Sequence, residues 1–156
     1  VRNRLTKVSL KDFRQILSGT DVVLPCSLST KENITSKLFD WRKDAQKDDG
    51  LKEVFLYDSG IHYNNGRGGQ SEEFKGRVSH FPDELKHGNA SIIIRNTKIS
   101  DSGEYTCYFP RLRPPQTFYI ELVVGESIST EPVSLQIIQF NYSDKMSQRL
   151  SNDTFF

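Results

Sequence analysis

Apolar and polar residues alternate along most of this chain. Val22, Leu24 and Cys26 fall on one side of an extended segment, and Phe39 and Trp41 do so in a later segment. Because successive side chains of a strand point to opposite faces, this period of two predicts half-buried β-strands. The interior of the molecule is therefore expected to lie between sheets.

The alternation predicts about nine strands and no convincing helix. The main predicted strands are residues 8–16, 21–26, 37–42, 52–58, 74–81, 90–95, 104–109 and 116–124. Residues 61–73 contain too little apolar sequence for a core strand. Parity places Tyr105, Cys107 and Ile120 inward, and it places Tyr108 and Tyr119 outward.

The two cysteines, Cys26 and Cys107, could form a redox pair, half of a metal site or a structural bridge. They lie 81 positions apart, with Trp41, the single tryptophan, between them. Tyr105 stands in Asp-x-Gly-x-Tyr-x-Cys, the tyrosine-corner pattern of a β-sandwich. Wide spacing around a tryptophan favours a structural disulfide, worth roughly 4.5 kcal/mol for such a loop, and an oxidising compartment. The predicted core includes Leu24, Trp41, Ile94 and Tyr105.

These features together predict an all-β fold, an immunoglobulin-like β-sandwich of variable type with two antiparallel sheets joined by one disulfide. We expect a lead-in at residues 1–8, the sandwich at 9–124, and a stalk or disordered tail at 125–156. The apolar run 133–140 leaves one alternative open for the tail, which is an added edge strand.

Charge and apolar content narrow the classes of partner. With 21 Lys and Arg against 20 Asp and Glu, the net charge is +1, so no overall field would attract nucleic acid or an anionic membrane. No apolar run approaches the roughly 20 residues needed to cross a bilayer. We therefore expect a mature or fragmentary ectodomain outside the cell. Four sequons predict glycosylation at Asn33, Asn89, Asn141 and Asn152.

Catalytic chemistry finds no support in the sequence. His62, His80 and His87 are scattered without metal-ligand spacing. The chain has no His-Glu-x-x-His, nucleophile elbow or Cys-x-x-Cys motif. We expect no catalytic residue, no metal, no cofactor and no small-molecule substrate, which leaves binding of another protein.

From about residue 9 to residue 124 the chain resembles the immunoglobulin V-set family. Within that family it is most similar to the butyrophilins, myelin oligodendrocyte glycoprotein and the related T-cell co-signalling ligands. The resemblance rests on residues 23–26, 54–58, 74–78, 91–96 and 107–109. It implies a structural salt bridge between Arg77 and Asp101.

Two positions depart from relatives of this type. Antigen-receptor variable domains carry Phe-Gly-x-Gly at the start of the last strand, where this chain reads Gln-Thr-Phe-Tyr-Ile at 116–120. This difference argues against an antibody or T-cell-receptor chain. Thr97 stands where the family usually has an aliphatic residue.

The resemblance implies a ligand on the external side of the plasma membrane that binds a receptor on lymphocytes and regulates T-cell receptor signalling and cytokine production. Exposed tyrosines and arginines favour an interface, and prolines stiffen the loop at residues 110–115. The predicted partner-binding residues are Tyr108, Tyr119, Tyr57, Arg42, Arg111, Leu112 and Arg113, with Tyr57 included only if no bulge reverses its strand. Two alternatives remain open. In one, these are ordinary amphipathic surface residues. In the other, the same face mediates homophilic or heterophilic cell adhesion, including formation of a homodimer.

Overall fold

The computed structural model describes residues 12–45, 50–59, 62–63 and 69–126. Its strands are β1 (Asp12–Leu17), β2 (Val22–Leu24), β3 (Leu38–Asp44), β4 (Leu51–Asp58), β5 (His62–Tyr63), β6 (Val78–His80), β7 (Ile92–Ile94), β8 (Gly103–Phe109) and β9 (Gln116–Gly125). Short 3-10 helices lie at Glu72–Phe74, Pro82–His87 and Ile99–Asp101. The described residues contain no helix with the length and hydropathy needed to span a membrane.

The strands form two layers, and the predicted fold class is confirmed. The front sheet has the order β1-β9-β8-β3-β4-β5, and the back sheet has the order β2-β7-β6. Every neighbouring pair is antiparallel except β1 and β9, which run parallel with Asp12 opposite Ile120. The first strand thus pairs with the last one, so both ends of the described domain lie in the front sheet.

Six of the eight main predicted strands agree with the observed ones to within two residues at each end, and two differ more. The described part of the first strand ends at Leu17, and residues 8–11 of the prediction lie outside the described residues. The predicted strand 74–81 is observed only as β6, after a 3-10 turn that ends at Phe74. Gly76 explains the shorter strand, because its φ of +75° is a left-handed conformation that interrupts extended backbone.

The core lies between the two layers, with the disulfide Cys26–Cys107 joining them. The side chains predicted for the interior, Leu24, Trp41, Ile94 and Tyr105, are 0% exposed. The Trp41 indole Nε1 donates a hydrogen bond to the carbonyl oxygen of Ala90 at 2.8 Å. The one polar atom of the indole is therefore satisfied inside the core, as burial requires.

The turn before β8 is fixed by hydrogen bonds around Asp101. The Tyr105 hydroxyl donates to the Asp101 carbonyl oxygen at 2.5 Å, and Arg77 forms a two-pronged ion pair with the Asp101 carboxylate, one contact being Nη1 to Oδ1 at 3.2 Å. Arg77 Nη1 also donates to the Glu73 carbonyl oxygen at 2.7 Å. These bonds tie the ends of the two sheets together.

Thr97 occupies a position where similar sequences usually have an aliphatic residue, and its hydrogen bonds explain how a polar side chain is accommodated there. It is buried, and its hydroxyl donates to the Thr20 carbonyl oxygen at 2.8 Å and lies 3.3 Å from the Leu17 carbonyl oxygen. Two backbone carbonyls at the turn between β1 and β2 thereby gain a donor. The Thr97 hydroxyl is therefore hydrogen-bonded although the residue is buried, as a buried polar group requires.

Candidate recognition surface

The outward side of the six-stranded sheet, which we call the front face, is the candidate functional site. Residues directly opposite one another in a sheet point to the same side, so the strand register defines the members. They include Phe13, Leu38, Asp40, Arg42, Asp44, Leu51, Glu53, Leu56, Asp58, Glu104, Thr106, Tyr108, Thr117, Tyr119 and Glu121.

Two predicted tyrosines lie near the middle of the front face. Tyr119 is 42% exposed, and Tyr108 is half-buried on the neighbouring strand. The register places Tyr108 opposite Asp40 on one side and Thr117 on the other, while Tyr119 lies opposite Thr106. The two rings are thus on adjacent strands of one surface, where large amphipathic side chains can contact a partner.

Tyr57 is not on the front face, and its inclusion in the predicted surface was wrong. It is 2% exposed, stacks on Phe39 with ring centroids 4.8 Å apart, and donates its hydroxyl to the Thr35 carbonyl oxygen at 2.6 Å. The cause is a β-bulge in β4: Trp41 pairs with Phe55, whereas Arg42 pairs with Glu53. The extra residue reverses the alternation along the rest of the strand.

Leu112 also points inward, which corrects its assignment as a partner-contacting residue. It is 9% exposed and belongs to the core cluster, whereas its neighbours Arg111 and Arg113 are exposed. The Arg111 side chain is 64% exposed, and its Nη1 lies 3.7 Å from Asp58 Oδ1. Leu112 therefore anchors the loop between β8 and β9 and leaves the two arginines at the surface.

Arg42 lies on the front face within a group of charged side chains. Its Nε lies 2.7 Å from Asp40 Oδ2 and 3.7 Å from Glu53 Oε2. Asp40 is 5% exposed, so this outward-facing carboxylate is covered by its neighbours. Burial, a hydrogen bond to Asp40 and the charge of Asp40 raise the pKa of Glu53 to about 8, and the charge of Arg42 opposes this shift.

Phe13 is a front-face residue that the sequence did not suggest. It is 39% exposed and lies opposite Glu121, two residues along β9 from Tyr119. Its position depends on the parallel pairing of β1 with β9, a contact between segments more than 100 residues apart. Alternation within one segment cannot reveal such a pairing. The sequence signal that was available is an aromatic residue, Phe13, within the first predicted strand.

The described sequons differ in their surroundings. Asn33 is exposed, and its Oδ1 accepts hydrogen bonds from the backbone N–H of Thr35 at 2.9 Å and from the Thr35 hydroxyl at 2.6 Å. Asn89 is half-buried, and the hydroxyl of its sequon partner Ser91 is buried and accepts a bond from the Cys26 N–H. Asn141 and Asn152 lie outside the described residues.

His80 is half-buried and packs against aromatic residues of the core. His80 lies with its ring 5.3 Å from the rings of Phe55 and Tyr57, and burial lowers its pKa. In the segments that the structure describes, no three His, Cys, Asp or Glu residues are grouped so that they could hold a metal ion.

Comparison with known proteins gives a family match over most of the chain. The family model described as "Immunoglobulin V-set domain" matches residues 15–125. Human myelin-oligodendrocyte glycoprotein is 32% identical over 93 residues, which are 60% of this chain and 35% of that protein. V-set domain-containing T-cell activation inhibitor 1 of Rattus norvegicus is 31% identical over 90 residues, 58% of this chain and 29% of that protein.

A solved structure is similar as well. Bovine butyrophilin superposes with a TM-score of 0.60 at 26% identity, covering 76% of this chain and 56% of that one. The chain spans about a third of the length of the two curated relatives described above.

Proposed function

This chain belongs to the immunoglobulin V-set family and is related to butyrophilin and to V-set domain-containing T-cell activation inhibitor 1, and we propose that it is a non-catalytic cell-surface recognition domain. In this proposal it acts as a butyrophilin-like ligand on the external side of the plasma membrane. It binds a protein receptor on lymphocytes and thereby regulates T-cell receptor signalling and cytokine production.

The observation that supports this proposal best is the composition of the front face. Tyr108 and Tyr119 lie on adjacent strands of the same face as Arg42, and Phe13 extends the aromatic surface to the sheet edge. Tyrosine and arginine are the residue types that contribute most at protein interfaces, because each offers a large area and hydrogen bonds at a modest entropic cost.

The loop between β8 and β9 adds a second contact region at the end of the front face. Its arginines are exposed while Leu112 is held in the core, so the backbone of the loop is already ordered before a partner arrives. Ordering a loop in advance reduces the entropy lost on binding. The exposed guanidinium of Arg111 is suited to a carboxylate on the partner.

Staining of lymphocytes with a fluorescent tetramer of the full chain tests the proposal. We expect a Tyr108→Ala, Arg111→Ala double variant to stain at least ten-fold less, because both changes remove front-face contacts. A matched control is Val23→Ala, Arg95→Ala, which alters two exposed residues on the outer side of the back sheet. Thermal unfolding of each variant checks that the domain stays folded.

The outcomes separate the possible binding surfaces. If the front-face variant stained fully and the back-sheet variant did not stain, the binding site would lie on the back sheet, and the front-face assignment would be wrong. No staining of any lymphocyte, combined with self-association of the chain in analytical ultracentrifugation, would favour homophilic adhesion instead.

A further inference from the structure

Two carboxyl oxygens in the middle of the front face need an explanation. Asp40 Oδ1 and Glu53 Oε1 are buried, and within the described residues no N–H or hydroxyl group lies within hydrogen-bonding distance of either atom. Their carboxyl groups lie on adjacent strands, both beside Arg42. Buried carboxylate oxygens without a donor are costly, so a native arrangement of this kind calls for a missing positive charge or a proton.

The positive charge of Arg42 does not neutralise both carboxylates. Its Nε contacts Asp40 Oδ2 at 2.7 Å and is farther from Glu53 Oε2, at 3.7 Å, so the guanidinium serves mainly one carboxylate. Two ionised carboxylates and one guanidinium would leave a net charge of −1 in a partly dry site. A proton on Glu53 removes this charge, and its O–H can donate to Asp40, which satisfies both oxygens at once.

We propose that Asp40 and Glu53 share one proton at neutral pH, and that with Arg42 they form an electrically neutral centre of the front face that binds an uncharged part of the partner. The inference rests on the proposed function, because it assigns the partner to this face. The burial and hydrogen bonding that raise the pKa of Glu53 are consistent with the geometry.

The neighbours of the pair support an uncharged occupant. Asp40 lies between Tyr108 on β8 and Leu56 on β4, which are aromatic and aliphatic. The other charged groups of the front face lie toward its ends, by register. Asp44 is the last residue of β3 and lies opposite Leu51. Glu104 and Glu121 face each other on β8 and β9, and Asp58 of β4 pairs with Arg111. Apolar flanks around a neutral triad fit an aliphatic or aromatic surface better than a cation.

Proton sharing links binding to pH. A neutral partner covers the pair and removes its remaining water, which favours the protonated form further and penalises the ionised one. For a group that titrates near pH 8 and binds only when protonated, the competent fraction falls about ten-fold between pH 7 and pH 9, and the apparent affinity falls with it.

The first measurement uses the free protein. Carbon-detected NMR of the full chain with labelled Glu and Asp side chains should show the Glu53 carboxyl carbon titrating between about pH 7 and pH 9, with assignment by the Glu53→Gln variant. A midpoint at the ordinary value of Glu would overturn the shared proton, whatever the protein binds.

The second measurement is the affinity of the monomeric full chain, obtained by competition against the fluorescent tetramer on lymphocytes at pH 7 and pH 9. We expect an affinity ratio of about ten for the native chain. In Glu53→Gln, whose amide N–H₂ can donate to Asp40 at every pH, the ratio should approach one. Glu84→Gln, an exposed glutamate in the turn Pro82–His87, is the matched control and should keep the ratio.

The results distinguish this inference from the proposed function. An affinity that rises with pH would mean that the partner places a cation over the pair, which overturns the uncharged occupant. An equal affinity at both pH values would show that the pair is not covered by the partner. Absence of staining at every pH would contradict the proposed function and the binding half of this inference, while the carboxyl titration would still decide the shared proton.

Discussion

Changing Tyr105 to Phe isolates the contribution of one buried hydroxyl. The side chain is 0% exposed, its ring packs edge-on against Phe74 with centroids 6.3 Å apart, and its hydroxyl donates to the Asp101 carbonyl oxygen at 2.5 Å. The substitution keeps the ring and removes only the donor. Water cannot easily replace it, because the site is closed.

The expected loss of stability follows from these contacts. A typical hydrogen bond contributes about 0.5–1.5 kcal/mol net, and a buried carbonyl left without its donor costs about 1–3 kcal/mol. We therefore expect Tyr105→Phe to lower the free energy of unfolding by about 1–3 kcal/mol. In a domain of this size that corresponds to a fall in Tm of about 4 °C for each kcal/mol.

Equilibrium unfolding in urea of the chain with its disulfide intact measures this change, since the midpoint should fall while the slope stays constant. Tyr108→Phe removes a hydroxyl from a half-buried tyrosine of the front face and should change stability by less than about 0.5 kcal/mol. If Tyr105→Phe were as stable as Tyr108→Phe, the Tyr105 hydroxyl would not be stabilising this turn, and the energetic reasoning above would be refuted.

Three further predictions concern other parts of the structure. Asp101→Asn should cost about 3–5 kcal/mol in urea unfolding, because Arg77, with its side chain only 14% exposed, loses its anionic partner; a loss below 1 kcal/mol would mean that the pair is not stabilising. Folding raises the pKa of Glu53 from 4.5 to about 8, so between these two pH values the folded chain binds one more proton than the unfolded chain. The free energy of unfolding should therefore fall as the pH rises from 6 toward 8 and level off by pH 9. After allowance for solvent screening this amounts to about 1 kcal/mol, and Glu53→Gln should abolish it, whereas a stability that rises with pH would contradict the assignment. Chain secreted from mammalian cells should carry sugar at the exposed Asn33, so Asn33→Gln should lose one glycan in intact-mass measurement, and an unchanged glycan mass would show that this sequon is empty.

Much of the sandwich could be predicted because its signals are local or chemically distinctive. Trp41 and Tyr105 follow from period-two alternation and from their spacing relative to the cysteines, and both are buried as expected. The disulfide Cys26–Cys107 follows from there being only two cysteines. The boundaries of the lead-in and tail stay predictions, since residues 1–11 and 127–156 lie outside the described residues.

The candidate surface was less predictable because it depends on how strands meet. Tyr108 and Tyr119 face outward as parity required, since neither strand is interrupted. Tyr57 faces inward because a bulge is a property of the pairing between β3 and β4, which neither segment reveals alone. Phe13 reaches the front face only through the long-range pairing of β1 with β9.

The proton pair was beyond sequence reasoning for a different reason. Asp40 and Glu53 are 13 positions apart, and nothing in either segment indicates that both would lie within reach of Arg42. Their closeness results from register, and their pKa behaviour results from burial. Sequence patterns report which residues alternate, whereas the electrostatics of a site require the distances.

The bulge in β4 also has a practical meaning for anyone building variant libraries of this domain. Before the extra residue the solvent-facing positions are odd-numbered, as at Glu53, and after it they are even-numbered, as at Leu56. A randomisation scheme that kept one phase along the whole strand would mutate Phe55 and Tyr57 and yield mostly unfolded clones. Shifting the phase by one residue at Val54 confines diversity to side chains that an incoming protein can touch.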